Sequence, residues 1–272
     1  ASGSFGSWWT TKAGSKSNVQ NVYVKTTYYS KAYAVSTQPE YGVSASYESA
    51  EVNLAHAKAT TGASASIRGM GSIEASGNVE VSADGDADVD AKIETADISL
   101  SKINIAVSEA KAELKVNQSA YISGPGKDYD SYTGIDADGY VKVLSTLTAD
   151  GYAATGGNKS TVNVSAVSGK TNLVDVSSTT INKAYIENAV VKADGDVDVK
   201  ASTTSTVTGE STQESVDVEL VSLGFVDVTT DSNDQVEAYI AGGKGSRVTG
   251  KSVDILATGT TTVRAKGSVP TV

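Results

Sequence analysis

The residues best suited by type to do chemistry are carboxylates. DGDADVD (Asp84 to Asp90), DADG (Asp136 to Gly139), DGDVD (Asp194 to Asp198) and DSND (Asp231 to Asp234) place acidic side chains at alternate positions beside bends. Calcium takes about six to eight hard oxygen ligands, and such turns can supply several of them together with backbone carbonyls. Asp84, Asp86, Asp88, Asp136, Asp138, Asp194, Asp196 and Asp198 are therefore the candidate calcium ligands. The competing reading is that Asp forms these turns with no ion. The glycine-rich nonapeptide of calcium-bound β-rolls and the EF-hand loop pattern are both absent.

Nucleophilic chemistry has little to work with. The chain has one His and no Cys, so thiolate catalysis, thiolate metal sites and disulfides are excluded. His56, in LAHAKA, falls on the polar beat of a strand and reads as an exposed histidine. Glycoside cleavage needs a pair of carboxylates about 5 to 10 Å apart. Acidic residues here follow the repeat described below instead of converging once, so the chain reads as a non-enzyme. A β-helical glycan-active enzyme is the alternative.

Tyrosine is the surplus aromatic, with 13 copies against two Trp and two Phe. Strand alternation puts Tyr121, Tyr185 and Tyr239 on an outer face, either as a contact surface or as cover for neighbouring strands. Lys127, Tyr129, Asp130 and Tyr132, in GPGKDYDSYTG (Gly124 to Gly134), form a second candidate contact set. A solvated irregular loop is its plain alternative. A denser group, Tyr23, Tyr28, Tyr29, Tyr33, Tyr41 and Tyr47 after Trp8 and Trp9, suits a cap on the first coils or a seat for a neighbouring subunit. The runs TTSTVT (Thr203 to Thr208) and TGTTTV (Thr258 to Val263) suggest an ice-binding face, but they do not recur at a fixed place in each unit, and that reading is set aside.

The elements that must carry these groups are strands. Val, Thr and Tyr favour strands, and 26 Gly favour frequent bends. A net charge of −10 disfavours nucleic acid and anionic membrane surfaces, which call for Lys/Arg patches. No apolar run of about 18 residues is present to span a bilayer as a helix.

Two markers repeat in phase. A Gly-x-Val-x-Val strand starts at Gly77, Gly139 and Gly195, with looser copies at Gln20 and Lys251, so it recurs at a nearly even interval. Ala-x-Ile follows at Ala65, Ala120, Ala184 and Ala238. Between them lie further alternating runs, VNLAHA (Val52 to Ala57), INIAVS (Ile103 to Ser108), VNVSAVS (Val162 to Ser168) and VDVELVS (Val216 to Ser222). SEAKAELKV (Ser108 to Val116) is helical in composition but sits where the other units have strand or turn, and is read as strand. Tandem arrays of this kind solve their packing by stacking. The expectation is an all-β, right-handed parallel β-helix over residues 1–272, with units near 20–76, 77–138, 139–194, 195–250 and a partial 251–272. A period near 56 reads as three coils of roughly 19 residues, hence about 14 coils and a rod of order 65–70 Å. Val79, Val81, Val141, Val143, Val197, Val199, Val253 and Ile255 should point inward, as should the Ala and Ile of the second marker. A chain of small β-sandwiches is the rival, disfavoured because such modules need more strands than about 56 residues allow.

The phrase AYIENAVVKADGDVDVKA (Ala184 to Ala201) resembles the repeat regions of large secreted bacterial exoproteins of the filamentous haemagglutinin or leukotoxin-like type. The resemblance spans roughly Gln20 to Gly267. It implies two-partner secretion, an extracellular location on or near a bacterial surface, and a β-helical shaft serving adhesion or display. The partners it implies are a host or bacterial surface protein or glycan, and other copies or flanking solenoid segments packed end to end. The alternative is a subunit of a self-assembling extracellular filament.

Overall fold

The computed structural model describes residues 18–37, 42–69, 71–94, 97–124, 133–156, 161–212, 215–243 and 245–268. Within them the chain is all-β and parallel, wound past three sheets in turn. Sheet A holds short strands: β1 (Asn18–Val19), β4 (Ser72–Ala75), β7 (Thr133–Ala137), β10 (Ala189–Ala193) and β13 (Arg247–Thr249). Sheet B holds β2 (Val22–Thr37), β5 (Val79–Glu94), β8 (Val141–Thr155), β11 (Val197–Ser211) and β14 (Val253–Gly267). Sheet C holds the longest strands: β3 (Gly42–Arg68), β6 (Asp97–Ser123), β9 (Thr161–Glu187) and β12 (Ser215–Ala241). The stretch Ser108 to Val116 is strand, as the repeat required.

Register corrects the coil count. Val22 pairs with Val79, Val79 with Val141, Val141 with Val197, and Val197 with Val253. Each Gly-x-Val-x-Val marker therefore lies directly beside the next, and one circuit of A, B and C consumes the whole interval between markers. A lap is one coil, not three. Five strands about 4.8 Å apart give a ladder only about 20 Å tall, whereas the 16 residues of β5 in extended form measure about 50 Å. The molecule is a short, broad slab instead of the expected rod. The physical reason is that parallel strands bond to neighbours above and below, so nothing in the ladder limits how long each side of a coil can be. The runs placed between the markers are likewise not separate strands. Each is continuous with the following Ala-x-Ile marker in one strand of sheet C.

Sheets B and C pack face to face. Val79, Val81, Val141, Val143, Val197 and Val199 are fully buried, and they cluster with Ala120, Ile122, Ala184 and Ile186 of sheet C and Ile135 and Val191 of sheet A. Full burial of each Val or Ile contributes about 1.5–3 kcal/mol. Further along, Ala87, Val89, Ala91 and Ile93 meet Ala110, Ala112, Leu114 and Val116 in a second cluster. In the last lap Val253 and Ile255 hold the same register but are 43% and 49% exposed, because β14 is the edge strand of its sheet.

Between the two apolar clusters runs a belt of buried amides. Gln118 and Asn182, neighbours in the ladder of sheet C, are both fully buried. Gln118 Nε2 donates to the Ala83 and Thr146 carbonyls and to Ser145 Oγ; Asn182 Nδ2 donates to the Ser145 and Ser202 carbonyls and to Thr203 Oγ1. These side chains stitch sheet C to sheet B across the interior and give both amide N–H groups partners, although Gln118 Oε1 is buried without one.

The corner between A and B explains the glycine of the first marker. Gly139 N donates to the Gly77 carbonyl at 2.9 Å and Gly195 N to the Gly139 carbonyl at 2.9 Å. A Cβ on Gly139 would sit 2.8 Å from that Gly77 oxygen, too close for a real contact. Asn side chains complete the corner: Asn21 Oδ1 accepts from Asn78 N, and Asn78 Oδ1 accepts from Tyr140 N.

Candidate functional site

The acidic candidates occupy the outer face of sheet B and the adjoining corners. Asp84, Asp86 and Asp88 stand at alternate positions on β5, about 6.6 Å apart along one strand. Their ladder partners are not acidic at the first two positions: Asp84 meets Thr27 and Thr146, and Asp86 meets Tyr29 and Thr148. Asp88 sits between Lys31 and Asp150, with Lys31 Nζ at 2.7 Å from its Oδ2. Burial, with Asp88 and Asp86 nearby, raises the Asp150 carboxyl above the usual range, although a hydrogen bond with Thr206 opposes the shift.

The corner carboxylates are engaged by neighbours one lap away. Lys192 Nζ lies 3.0 Å from Asp136, and Ser252 Oγ donates to Asp196 at 2.9 Å. Asp198 is nearly buried on the outer face under Lys200 at 2.7 Å and Lys142 at 3.9 Å. Asp138 and Asp194 donate their backbone N–H groups to the carbonyls of Ala75 and Ala137, which extends the ladder. Among the described residues no group of three or more His, Asp or Glu converges in a way that could hold a metal ion. The turns separate their carboxylates because outward positions of a ladder repeat by translation and do not close on a point.

The tyrosines do come together. Tyr121, Tyr185 and Tyr239 are ladder partners on the outer face of sheet C. Their rings stack with centroids 4.7 and 5.0 Å apart and planes within 5° of parallel, and the Arg68 guanidinium lies 5.6 Å from the Tyr121 ring. The spacing matches the ladder repeat, so the backbone sets the stack. Desolvation within it, then Tyr121 and Tyr239, push the Tyr185 hydroxyl up to about 12. The result is one continuous aromatic strip with a cation at its first-lap end.

Lys127, Tyr129, Asp130 and Tyr132 lie outside the described residues, as do Trp8, Trp9 and Tyr41. Ladder pairing is regular on both sides of residues 125–132, with Ile73 opposite Ile135 and Ala120 opposite Ala184. In the first-lap group Tyr28 points inward, and burial followed by Asp86 raises its hydroxyl. Tyr23, Tyr29, Tyr33 and Tyr47 are exposed. His56 is an exposed strand residue, 3.2 Å from Glu109.

Two arrangements escaped the sequence reading. Lys92 Nζ sits between two tyrosines, 5.8 Å from the Tyr33 ring and 5.0 Å from the Tyr152 ring, with Asp90 at 2.7 Å. Stepping along the chain by one marker interval at a time puts Tyr33, Asp90 and Tyr152 in one column, which is the signal that would have found it. The two threonine runs lie one lap apart. Thr204 and Thr206 pair with Thr260 and Thr262, and Thr204 also pairs with Thr148. In the earlier laps the same columns hold Asp150, Asp88 and Asp86, so the hydroxyls do not recur in each unit and the ice-binding reading stays set aside.

No protein-family model, curated protein or solved structure matches this chain.

Proposed function

We propose that the chain is a non-enzymatic segment of a right-handed parallel β-solenoid, acting as the shaft or display region of a large bacterial surface protein outside the cell. The right hand follows the rule that parallel crossover connections are nearly always right-handed. One observation carries the reading: outward groups recur once per lap, as Tyr121, Tyr185 and Tyr239 do, and form strips instead of converging on a reactive centre. A strip of stacked rings with a guanidinium at one end suits a repeating or extended partner, such as a glycan chain or a surface protein, through stacking and polar edges. The reading requires no cofactor.

The test is retention of the purified chain on arrayed glycans and on host and bacterial cells. Replacing Tyr121, Tyr185 and Tyr239 together by Ala should abolish retention while the β-sheet circular dichroism persists. Full retention by the triple variant removes the strip from the reading. Release of new reducing ends from any bound polysaccharide would replace the reading with the glycan-active enzyme.

A further inference from the structure

The first part of sheet C is built inside out. Along most of each strand, small and apolar side chains face sheet B and polar ones face outward. In β6 the order reverses before Glu109: Asn104 and Ser108 are buried, while Leu100, Ile103 and Ile105 are exposed. The other laps repeat it. Val52 and Leu54 of β3, Val164 and Val167 of β9, and Val221, Leu223 and Phe225 of β12 all face out, with Leu223 at 69% and Phe225 at 57% exposure. The buried side is held by small polar groups, as where Ser49 Oγ donates to Asn104 Oδ1 at 2.9 Å.

The ladder also skips one residue in every strand, at Tyr47, Lys102, Ala166 and Leu220, which pair with nothing in register. The skip is shared by all four strands, and beside it Ser49 Oγ touches both Ser101 Oγ at 3.3 Å and Asn104 Oδ1 at 2.9 Å. The reversal is thus built into the repeat. A face of Ile, Leu, Val and Phe open to water is an association surface or a liability.

We propose that this outward apolar face is a self-association surface, on which a second copy of the chain packs sheet against sheet. Size is the first argument. Four strands about 4.8 Å apart, over about eight residues at about 3.3 Å, present on the order of 500 Å² per copy. Two copies bury on the order of 1,000 Å², the level a specific interface must reach. Charge is the second argument. The chain carries −10, so copies repel over most of their surface. Here the ladder columns Ala50–Ile105–Gly169–Leu223 and Val52–Val107–Thr171–Phe225 are uncharged, with Glu48 in the column on one side and Glu109 and Asp227 in the column on the other. Geometry is the third argument. Side-chain columns repeating every 4.8 Å or so interdigitate best with columns of the same repeat, and a second copy related by a two-fold axis supplies them. This contact is lateral, so it is distinct from end-to-end stacking, and it stands whatever the tyrosine strip binds.

The experiment is sedimentation equilibrium of the full chain from low to high micromolar concentration. The expected result is a monomer–dimer equilibrium, weakened at least tenfold by Ile105→Lys or by Leu223→Lys without change in melting temperature. Because the chain has no Cys, Leu223→Cys gives a clean reporter: mild oxidation should yield covalent dimers, whereas Thr260→Cys on the outer face of sheet B should not. A chain that stays monomeric throughout, Lys variants with wild-type association, or equal cross-linking at both cysteines would each overturn the proposal. Co-sedimentation of a monomeric chain with zwitterionic lipid vesicles, lost in Leu223→Lys, would assign the face to lipid and overturn it as well.

Discussion

Val197 and Asp198 are adjacent in the chain and point to opposite sides of β11, so they report separately on the inside and outside of the slab. Val197 is fully buried. Val197→Asp places an unpaired carboxylate there and should cost several kcal/mol, read as a large drop in melting temperature or loss of the sheet signal. Asp198→Val removes only exchangeable ion pairs to Lys200 and Lys142 and should cost below about 1 kcal/mol. Similar losses at the two positions would overturn the sidedness of the strand. Glu113 gives a pH-dependent counterpart. Hydrogen bonds from Lys115 and Lys58, at 2.8 and 2.9 Å, hold its carboxyl down to about 2. A depressed folded-state value means that the stabilisation is present above the ordinary carboxylate range and is lost as pH falls from about 4.3 toward about 2. Solvent screening keeps it below about 1 kcal/mol. Glu113→Gln should therefore lower the neutral melting temperature slightly, leave the value near pH 2 unchanged, and so flatten the fall across that acid window. An undiminished acid slope would show that other carboxylates govern it.

At the scale of elements, the distance between sheets B and C is set by small side chains. A Cβ on Gly209 would stand 2.9 Å from Thr230 Cγ2 and 2.9 Å from Val228 Cγ1, across the interior. Gly169, on the outer face of sheet C, has nothing within 4 Å of its would-be Cβ. Gly209→Val should push the sheets apart and destabilise by about 1–3 kcal/mol, while Gly169→Ala should be neutral or stabilising, since glycine weakens a strand interior. Denaturant melts of the pair check this, and a tolerated Gly209→Val would mean that the sheets are not in close contact there. The sequence made the alternation around the Val and Ala-x-Ile markers legible because their apolar residues are also the inward ones. It misled where the two properties part. INIAVS reads as half-buried from its alternation, yet Ile103 and Ile105 face water and Asn104 is buried. Period-2 patterning tells which residues share a face; it does not tell which face is covered. The amide belt was illegible for a related reason. Gln118 and Asn182 look like surface residues until the opposing Ser145 and Thr203 are known to lie across from them.

At the scale of the molecule, the markers revealed that the chain repeats but not how a unit is folded. A three-coil unit would put each marker's neighbour in space about 19 residues away, whereas a one-coil unit puts the next marker there, and the spacing of the markers is the same in both. Expecting three coils per unit came from assuming short sides, and pairing such as Ala201 with Ala257 removes that assumption. The tyrosine strip was legible, since Ala-Tyr-Ile recurs once per lap; the separation of the carboxylates was not, because it depends on translation between laps. A deletion separates the one-lap coil from the three-coil alternative. Removing residues 139–194 takes out β8, β9 and β10, one full lap, and joins Asp138 to Gly195 at equivalent corners. Val79 can then pair with Val197 and Ala120 with Ala238, the same residue types that meet in the intact ladder. Stability in such arrays is close to a sum over repeats and their interfaces. The shortened chain should therefore melt cooperatively at a lower temperature and keep its sheet signal. Removing residues 161–179 instead takes most of β9 and leaves β6 and β12 without a continuous neighbour between them, so it should abolish cooperative melting. Three short coils per unit demand the opposite, with the shorter deletion harmless, and circular dichroism melts of the two proteins distinguish the cases directly.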